Sequence, residues 1–337
     1  MNRMATIILV LASSFITTFL VMPKLIKYLK SKGVVGIDVH KPDKPEIAEM
    51  GGIGIILGII VGAIVSLIID PKAAPKFIAY LATIILTAII GFIDDLYTLK
   101  AKVKTALTIL TFIPIVVMGL IFPRQIRLGR PVLPFIGRLR LTIAYWLLLP
   151  FAIAVPANAV NMMDTYNGVM SGSCVMISLS LLISSLILGR FYAALMSATL
   201  LGALIAYYWY NRYPARVFSG DVGSLSVGAA IGAISVIGGL EIVGVTALMP
   251  FIMNAFYSLS SLGGLLERHE IKERPVIVDE NGVLRANLNS KAPSTLANLL
   301  LLKGPATELE LVKSYLALSA VSSILGIVTA FLMGVRL

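Results

Sequence analysis

Ten stretches of this 337-residue chain are apolar for long enough to cross a lipid bilayer. They cover about residues 4–22, 52–69, 75–93, 105–122, 142–159, 171–188, 191–209, 222–238, 241–262 and 313–334. A helix needs roughly 20 such residues to span ~30 Å of hydrocarbon, where every backbone N–H and C=O must be paired within its own segment. The expected fold is therefore an all-α integral membrane protein of ten transmembrane helices, a single multi-span domain over 1–337. A mean hydropathy of +0.93 with 13% charged residues excludes an ordinary soluble domain. The first run leads into Pro23-Lys24-Leu25-Ile26-Lys27 rather than a small-residue cleavage site, so it reads as an uncleaved span.

Ten spans divide the loops into two sets. The set after odd-numbered spans (23–51, 94–104, 160–170, 210–221 and 263–312) carries the larger share of Lys and Arg, which places it in the cytoplasm and both termini outside. Fifteen of the 17 Asp and Glu residues lie in that same set, and only Asp70 and Glu241 lie opposite. Acidic residues contribute little to insertion, so this bias asks for a functional cause. The net charge of +11 fits cations snorkelling to anionic headgroups, and no nucleic-acid motif or partner is indicated. The single cysteine, Cys174, lies within an apolar run and reads as packing.

The segment 263–312 is a long cytoplasmic loop between helices 9 and 10. Within it Val276–Val278 and Val283–Arg285 flank Asp279-Glu280-Asn281-Gly282, a turn signal for a short hairpin. Residues 295–303 read as an interfacial helix, and Thr307 with Glu310 forms a capping-box pattern opening the last span.

The chemistry sits at the span ends. Asp94-Asp95 closes the third run, and carboxylates at bilayer depth are costly unless they meet a metal, a cation or water. Lys104 follows after Lys100 and Lys102, and one of the three is expected to reach an anion. Asn158 and Asn161 share a helix face, Asp164 continues it, and Asn167-Gly168 makes a turn. Amide oxygens suit hard cations such as Mg²⁺; Asn in a membrane bundle also serves as an interhelical hydrogen-bonding group. Phe218-Ser219-Gly220-Asp221-Val222-Gly223-Ser224 opens the eighth run, where a helix N-terminus favours anions and a ring is available for a planar base. Arg268-His269 adds a guanidinium fork for phosphate, while His40 reads as a solvated loop residue. Phosphoryl transfer needs mainly positioning and charge neutralisation, which this inventory supplies. A transporter or flippase for lipid-linked anions is the alternative, but it would place ionisable residues near the midplane on broken helices rather than at one interface.

The order Lys44-Pro45-Glu46, Gly51-Gly52, Asp94-Asp95, Asn158-Ala159-Val160-Asn161, Asn167-Gly168, Gly220–Ser224 and Arg268-His269 resembles the polyprenyl-phosphate N-acetylhexosamine-1-phosphate transferases of glycosyltransferase family 4 type. Asp164 and Gly220–Leu225 look like bacterial members; Asn167-Gly168, the one His in Arg268-His269, and Asn298–Pro305 are similar to the eukaryotic UDP-GlcNAc–dolichyl-phosphate GlcNAc-1-phosphate transferase, a mixture expected of an archaeal member. The resemblance implies transfer of GlcNAc-1-phosphate from UDP-GlcNAc to polyprenyl (dolichyl-type) phosphate, with UMP released. It further implies a homodimer, and Mg²⁺ (or Mn²⁺) held by Asn161 and Asp221. Lys104 and Arg268 would bind the diphosphate, Phe218 would stack on uracil, and Asn167 with the backbone near Val39 would contact its polar edge. Glu46 would meet the ribose, Asn158 would line the substrate site, and Asp94, Asp95 and His269 would complete the catalytic set. Glu270 stands where the eukaryotic enzymes carry an Arg that helps select GlcNAc, so another UDP-HexNAc donor stays open, with Lys272 or Arg274 as substitutes.

Overall fold

The computed structural model describes residues 2–141, 143–264 and 273–335. Helices dominate: α1 (Arg3–Ser31), α2 (Gly52–Ile69), α3 (Ala74–Tyr97), α4 (Ala101–Leu110), α5 (Ile113–Ile121), α6 (Ile143–Met163), α7 (Val169–Ile187), α8 (Phe191–Asn211), α9 (Gly220–Gly238), α10 (Glu241–Ala247), α11 (Met249–Leu262), α12 (Leu296–Leu301) and α13 (Glu308–Gly334). Among the described residues nine helical segments are long and apolar enough to cross a membrane, α4 and α5 counting together as one. The bent pair α10–α11 makes a tenth if it is one span. This is a multi-pass membrane protein.

The apolar run 241–262 is not one straight helix, since α10 and α11 meet at 66°. Pro250 in the first turn of α11 has no N–H to give Thr246, and its ring crowds that carbonyl, so the helix breaks there. Pro114 opens α5 in the same way after the turn at Thr111-Phe112.

Helix α9 lies at the centre, packed between α3 and α6 and touching α2 and α8. Its sequence, GDVGSLSVGAAIGAISVIG, is small-residue-rich, which lets neighbouring backbones come close where no hydrophobic effect drives helices together in lipid. Two contacts decide where the site forms. A Cβ on Gly91 of α3 would stand 2.5 Å from the Asp221 carbonyl oxygen, and one on Gly52 would stand 2.0 Å from the Gly223 Cα. Only glycine allows either approach, and together they bring the last turn of α3 and the first turn of α2 onto the N-terminus of α9.

The strands are short. β1 (Val35–Ile37) and β2 (Glu46–Ala48) form an antiparallel hairpin beyond α1. β3 (Val132–Leu133) and β4 (Gly137–Arg138) pair within the 123–141 segment. β5 (Val276–Val278), β6 (Val283–Ala286) and β7 (Ala306–Thr307) make a three-stranded sheet before α13. The Asn298 amide donates to the Pro275 and Asn287 carbonyls, tying α12 to the β5–β6 hairpin. Thr307 and Glu310 cap α13 reciprocally, side chain to backbone in both directions.

Candidate functional site

α3 ends at the paired aspartates because Thr98 turns left-handed (φ 49°), its N–H returning to the Asp94 carbonyl at 2.8 Å. The Asp94 carboxylate accepts the Leu99 N–H through Oδ1 at 2.6 Å, which fixes the turn into α4. One turn into α4, Lys104 comes back onto the same carboxylate, with Nζ 2.8 Å from Asp94 Oδ2 and 2.5 Å from Asp221 Oδ2. On the far side of Asp221, Asn161 of α6 donates Nδ2–H to Oδ1 at 2.8 Å and to Ser224 Oγ at 2.9 Å. Three helices and the N-terminus of a fourth therefore meet around one carboxylate. The Asp221 side chain keeps 24% of its surface open, so this is an accessible face and not a sealed ion pair.

Asp95 does something different from its neighbour. Its Oδ1 accepts the Asp221 N–H at 2.7 Å and its Oδ2 the Val222 N–H at 3.0 Å. The N-cap residue of α9, Ser219, makes no side-chain cap, so a carboxylate from α3 satisfies the orphan donors instead. A negative charge is favourable at that pole of the helix dipole. Asp95 thus fixes where Asp221 stands. The Ser219 hydroxyl is free of capping duty and donates to Asp164.

A second polar network lies beside the first, in the loop between β1 and β2. Asn167 is buried at 3% exposure. Its Oδ1 accepts from Lys41 Nζ at 3.1 Å and from the Ala215 N–H at 2.6 Å, while Nδ2 donates to Asp38 Oδ2 at 3.1 Å. Lys41 is also paired with Asp38 and reaches Glu308 Oε2 at 3.4 Å, and Glu308 Oε1 accepts the Asn167 N–H at 3.0 Å. Asn167, expected at the base's polar edge, has its carbonyl oxygen fully engaged with protein donors. Val39 is half-buried in this loop, between Asp38 and His40. His40 is not a solvated residue: its ring lies 4.5 Å from that of Tyr166. Burial pulls the imidazole down to about 4, with Asp38 opposing and Lys41 and Arg274 adding to the shift.

Phe218 is held by its backbone. Its N–H donates to the Ala48 carbonyl and its own carbonyl accepts the Gly51 N–H, both at 2.8 Å. The ring stands over Gly36, where an added Cβ would be 3.2 Å from both Phe218 Cδ2 and Glu49 Oε2. The carboxylate that meets Gly36 along with the ring is Glu49. Glu46, expected at the ribose, is exposed on β2 opposite Ile37. Asn158, expected to line the substrate site, donates to Thr108 Oγ1 and the Ala154 carbonyl, both at 2.8 Å, and so ties α4 to α6 behind Lys104. Arg268 and His269, with Glu270 and Lys272, lie outside the described residues.

The donor set suits a hard divalent cation. Asp94, Asp221, Asn161 and Ser224 would offer only oxygen ligands, Asn161 after turning over the amide that now donates Nδ2–H to Asp221 and Ser224, and no thiolate or imidazole adjoins them among the contacts above. Among the described residues there is no cluster of three His, Cys, Asp or Glu side chains of metal-ligand geometry. Magnesium needs none, since it retains waters and takes one or two carboxylates together with substrate phosphates.

The sequence model of glycosyl transferase family 4 matches residues 77–239, from α3 to the end of α9, and so contains Asp94, Asp95, Lys104, Asn161, Phe218 and Asp221. A protein of Methanocaldococcus jannaschii, provisionally named a glycosyltransferase, is 30% identical over 283 residues, 83% of this chain and 81% of the relative. The chain belongs to glycosyl transferase family 4. Within the family it is 29% identical, over 76% of its own length and 79% of the relative's, to a Saccharolobus solfataricus protein. That protein is provisionally named a UDP-N-acetylglucosamine–dolichyl-phosphate N-acetylglucosaminephosphotransferase. The phospho-N-acetylmuramoyl-pentapeptide-transferase of Streptococcus mutans is 30% identical over 66% of this chain and 70% of the relative. The shared theme is transfer of a phosphosugar, and this chain is a phosphosugar transferase.

Proposed function

We propose that the protein transfers GlcNAc-1-phosphate from UDP-GlcNAc to a polyprenyl phosphate of dolichyl type, at the cytoplasmic face of the cell membrane and as a homodimer. The observation that carries this reading is the meeting of Asp94, Lys104, Asn161 and Asp221 at coincident helix ends, where a soluble diphosphate and a bilayer-held phosphate can both arrive. An oxygen of the lipid phosphate attacks the β-phosphorus of the donor. The bond from that phosphorus to the bridging oxygen breaks, UMP leaves with the electron pair, and polyprenyl-diphosphate-GlcNAc is formed.

The placement of each residue supports a part for it. Lys104 lies between two carboxylates and offers its ammonium to the diphosphate where charge accumulates, the dominant kind of stabilisation in phosphoryl transfer. Asp94 aims Lys104, and Asp95 holds the Asp221 backbone. Phe218 offers its ring to the uracil, with the Glu49 carboxylate sharing its place over Gly36. Asp221 and the Asn161 amide oxygen would hold Mg²⁺, with Mn²⁺ as a substitute, and a bound ion would neutralise the diphosphate.

The test is direct. The full-length protein, incubated with Mg²⁺, polyprenyl phosphate and UDP-GlcNAc, should release UMP. Silence with every UDP-HexNAc donor would remove the enzyme, and release from UDP-GalNAc alone would reassign the sugar.

A further inference from the structure

The ends of α1 and α8 enclose a groove of about 420 Å³ that none of the chemistry above uses. Its walls include Ile26, Lys30, Ile47, Trp209, Tyr210 and Arg216. α1 passes through Pro23 at this level, and Pro23 has no N–H to pair with the Phe19 carbonyl. The Tyr210 hydroxyl fills that vacancy, donating to Phe19 O at 3.0 Å. The Arg216 guanidinium lies over the Tyr210 ring, 4.7 Å from its centroid, and Nη2 donates to the Trp209 carbonyl at 3.2 Å. A guanidinium carries five N–H donors, so a fixed, stacked fork remains with donors to spare.

Charge and position identify the occupant. Among the described residues no carboxylate lines the groove, and none occurs in the sequence before Asp38. Glu46 alternates to the opposite side of β2 from Ile47, which faces the groove. Trp209 and Tyr210 end a membrane-length helix, where aromatic residues mark the headgroup level. Below them Ile16, Leu20 and Ile205 are exposed at 53%, 63% and 38%, at helical spacing from Pro23 and Trp209, and offer a track for acyl chains. The volume falls in the range of sites for small ligands.

The geometry points to a binding site for one anionic phospholipid of the same leaflet, its phosphodiester held by Arg216 and Lys30 and its chains descending along α1 and α8. This does not depend on which donor the enzyme uses. The floor of the groove is also the back of the site: Ile47 precedes Ala48, which bridges to Val217 and accepts the Phe218 N–H.

Native mass spectrometry of the full-length protein in detergent tests it, titrating phosphatidylglycerol against phosphatidylcholine of the same acyl chains. Phosphatidylglycerol should be retained and phosphatidylcholine lost, and the K30Q/R216Q double variant should weaken retention by about tenfold or more. K27Q/K32Q, which removes equal charge from outside the groove, should leave it unchanged. UMP release in neutral detergent should match wild type in both, showing that they fold. The proposal falls if K30Q/R216Q retains phosphatidylglycerol like wild type, or if K27Q/K32Q loses as much. It falls equally if sn-glycerol 3-phosphate alone occupies the groove, or if polyprenyl phosphate displaces the phospholipid one for one.

Discussion

Replacing Asp95 by Asn separates a positioning role from proton transfer. The carboxylate accepts the Asp221 and Val222 N–H groups at 2.7 and 3.0 Å. An amide keeps one acceptor and turns an NH₂ toward the other N–H. The lost charge-assisted bond is worth about 1.5–3 kcal/mol. Removing a negative charge from a helix N-terminus adds about 0.3–1 kcal/mol. The sum, about 2–4 kcal/mol, falls on the most buried helix of the bundle, for which 89% of the apolar window is inside. For a chain this long each kcal/mol moves Tm by about 2 °C, so D95N should melt about 4–8 °C below wild type. The assay is intrinsic fluorescence of Trp146 and Trp209 in detergent at a fixed scan rate, because such unfolding is commonly irreversible. Turnover should fall as well, since Asp221 loses its anchor. A D95N protein that melts with wild type yet makes no UMP would refute the reasoning and make Asp95 a proton acceptor.

Asp221→Ala and Asn161→Ala should raise the Mg²⁺ concentration needed for half-maximal activity, whereas Lys104→Ala should cut kcat by about a hundredfold without moving that requirement; divalent-ion titrations of UMP release distinguish them. Gly36→Val puts branches into space already 3.2 Å from Phe218 and Glu49, so the donor KM should rise while Tm stays close to wild type. Folded His40 takes up its proton only near pH 4, whereas the unfolded chain does so near 6.5. The unfolded state therefore binds more protons in that window, and stability should be complete above 6.5 and fall by up to about 3 kcal/mol toward pH 4. Melting curves of H40F should lack that decline.

The helices were legible because hydropathy is a local property and lipid leaves the backbone few options. The runs 52–69 and 191–209 coincide with α2 and α8 to within two residues, while α1 and α13 extend past their apolar cores into polar turns. The break in 241–262 had a signal in Pro250, which an apolar run alone does not register. What stayed hidden depends on pairing between distant segments. Nothing local to Asp95 shows that Gly91 lets it reach the N-terminus of α9, 126 residues away in sequence. Glu46 and Glu49 are indistinguishable until the β1–β2 register is known. Asp38, Lys41 and Glu308 carry no motif of their own in the sequence. They meet around Asn167, with Lys41 and Glu308 267 residues apart in sequence, and an acid in the first turn of α13 is the one faint trace.

The fate of the β-phosphorus tests the central claim most directly. With UDP-GlcNAc labelled with ³²P at that atom, the protein should carry the label into the polyprenyl lipid while releasing one UMP per lipid formed, and Asp221→Ala should lower both in step at a Mg²⁺ concentration that just saturates wild type. Label left in water as UDP, with the sugar alone on the lipid, would contradict it.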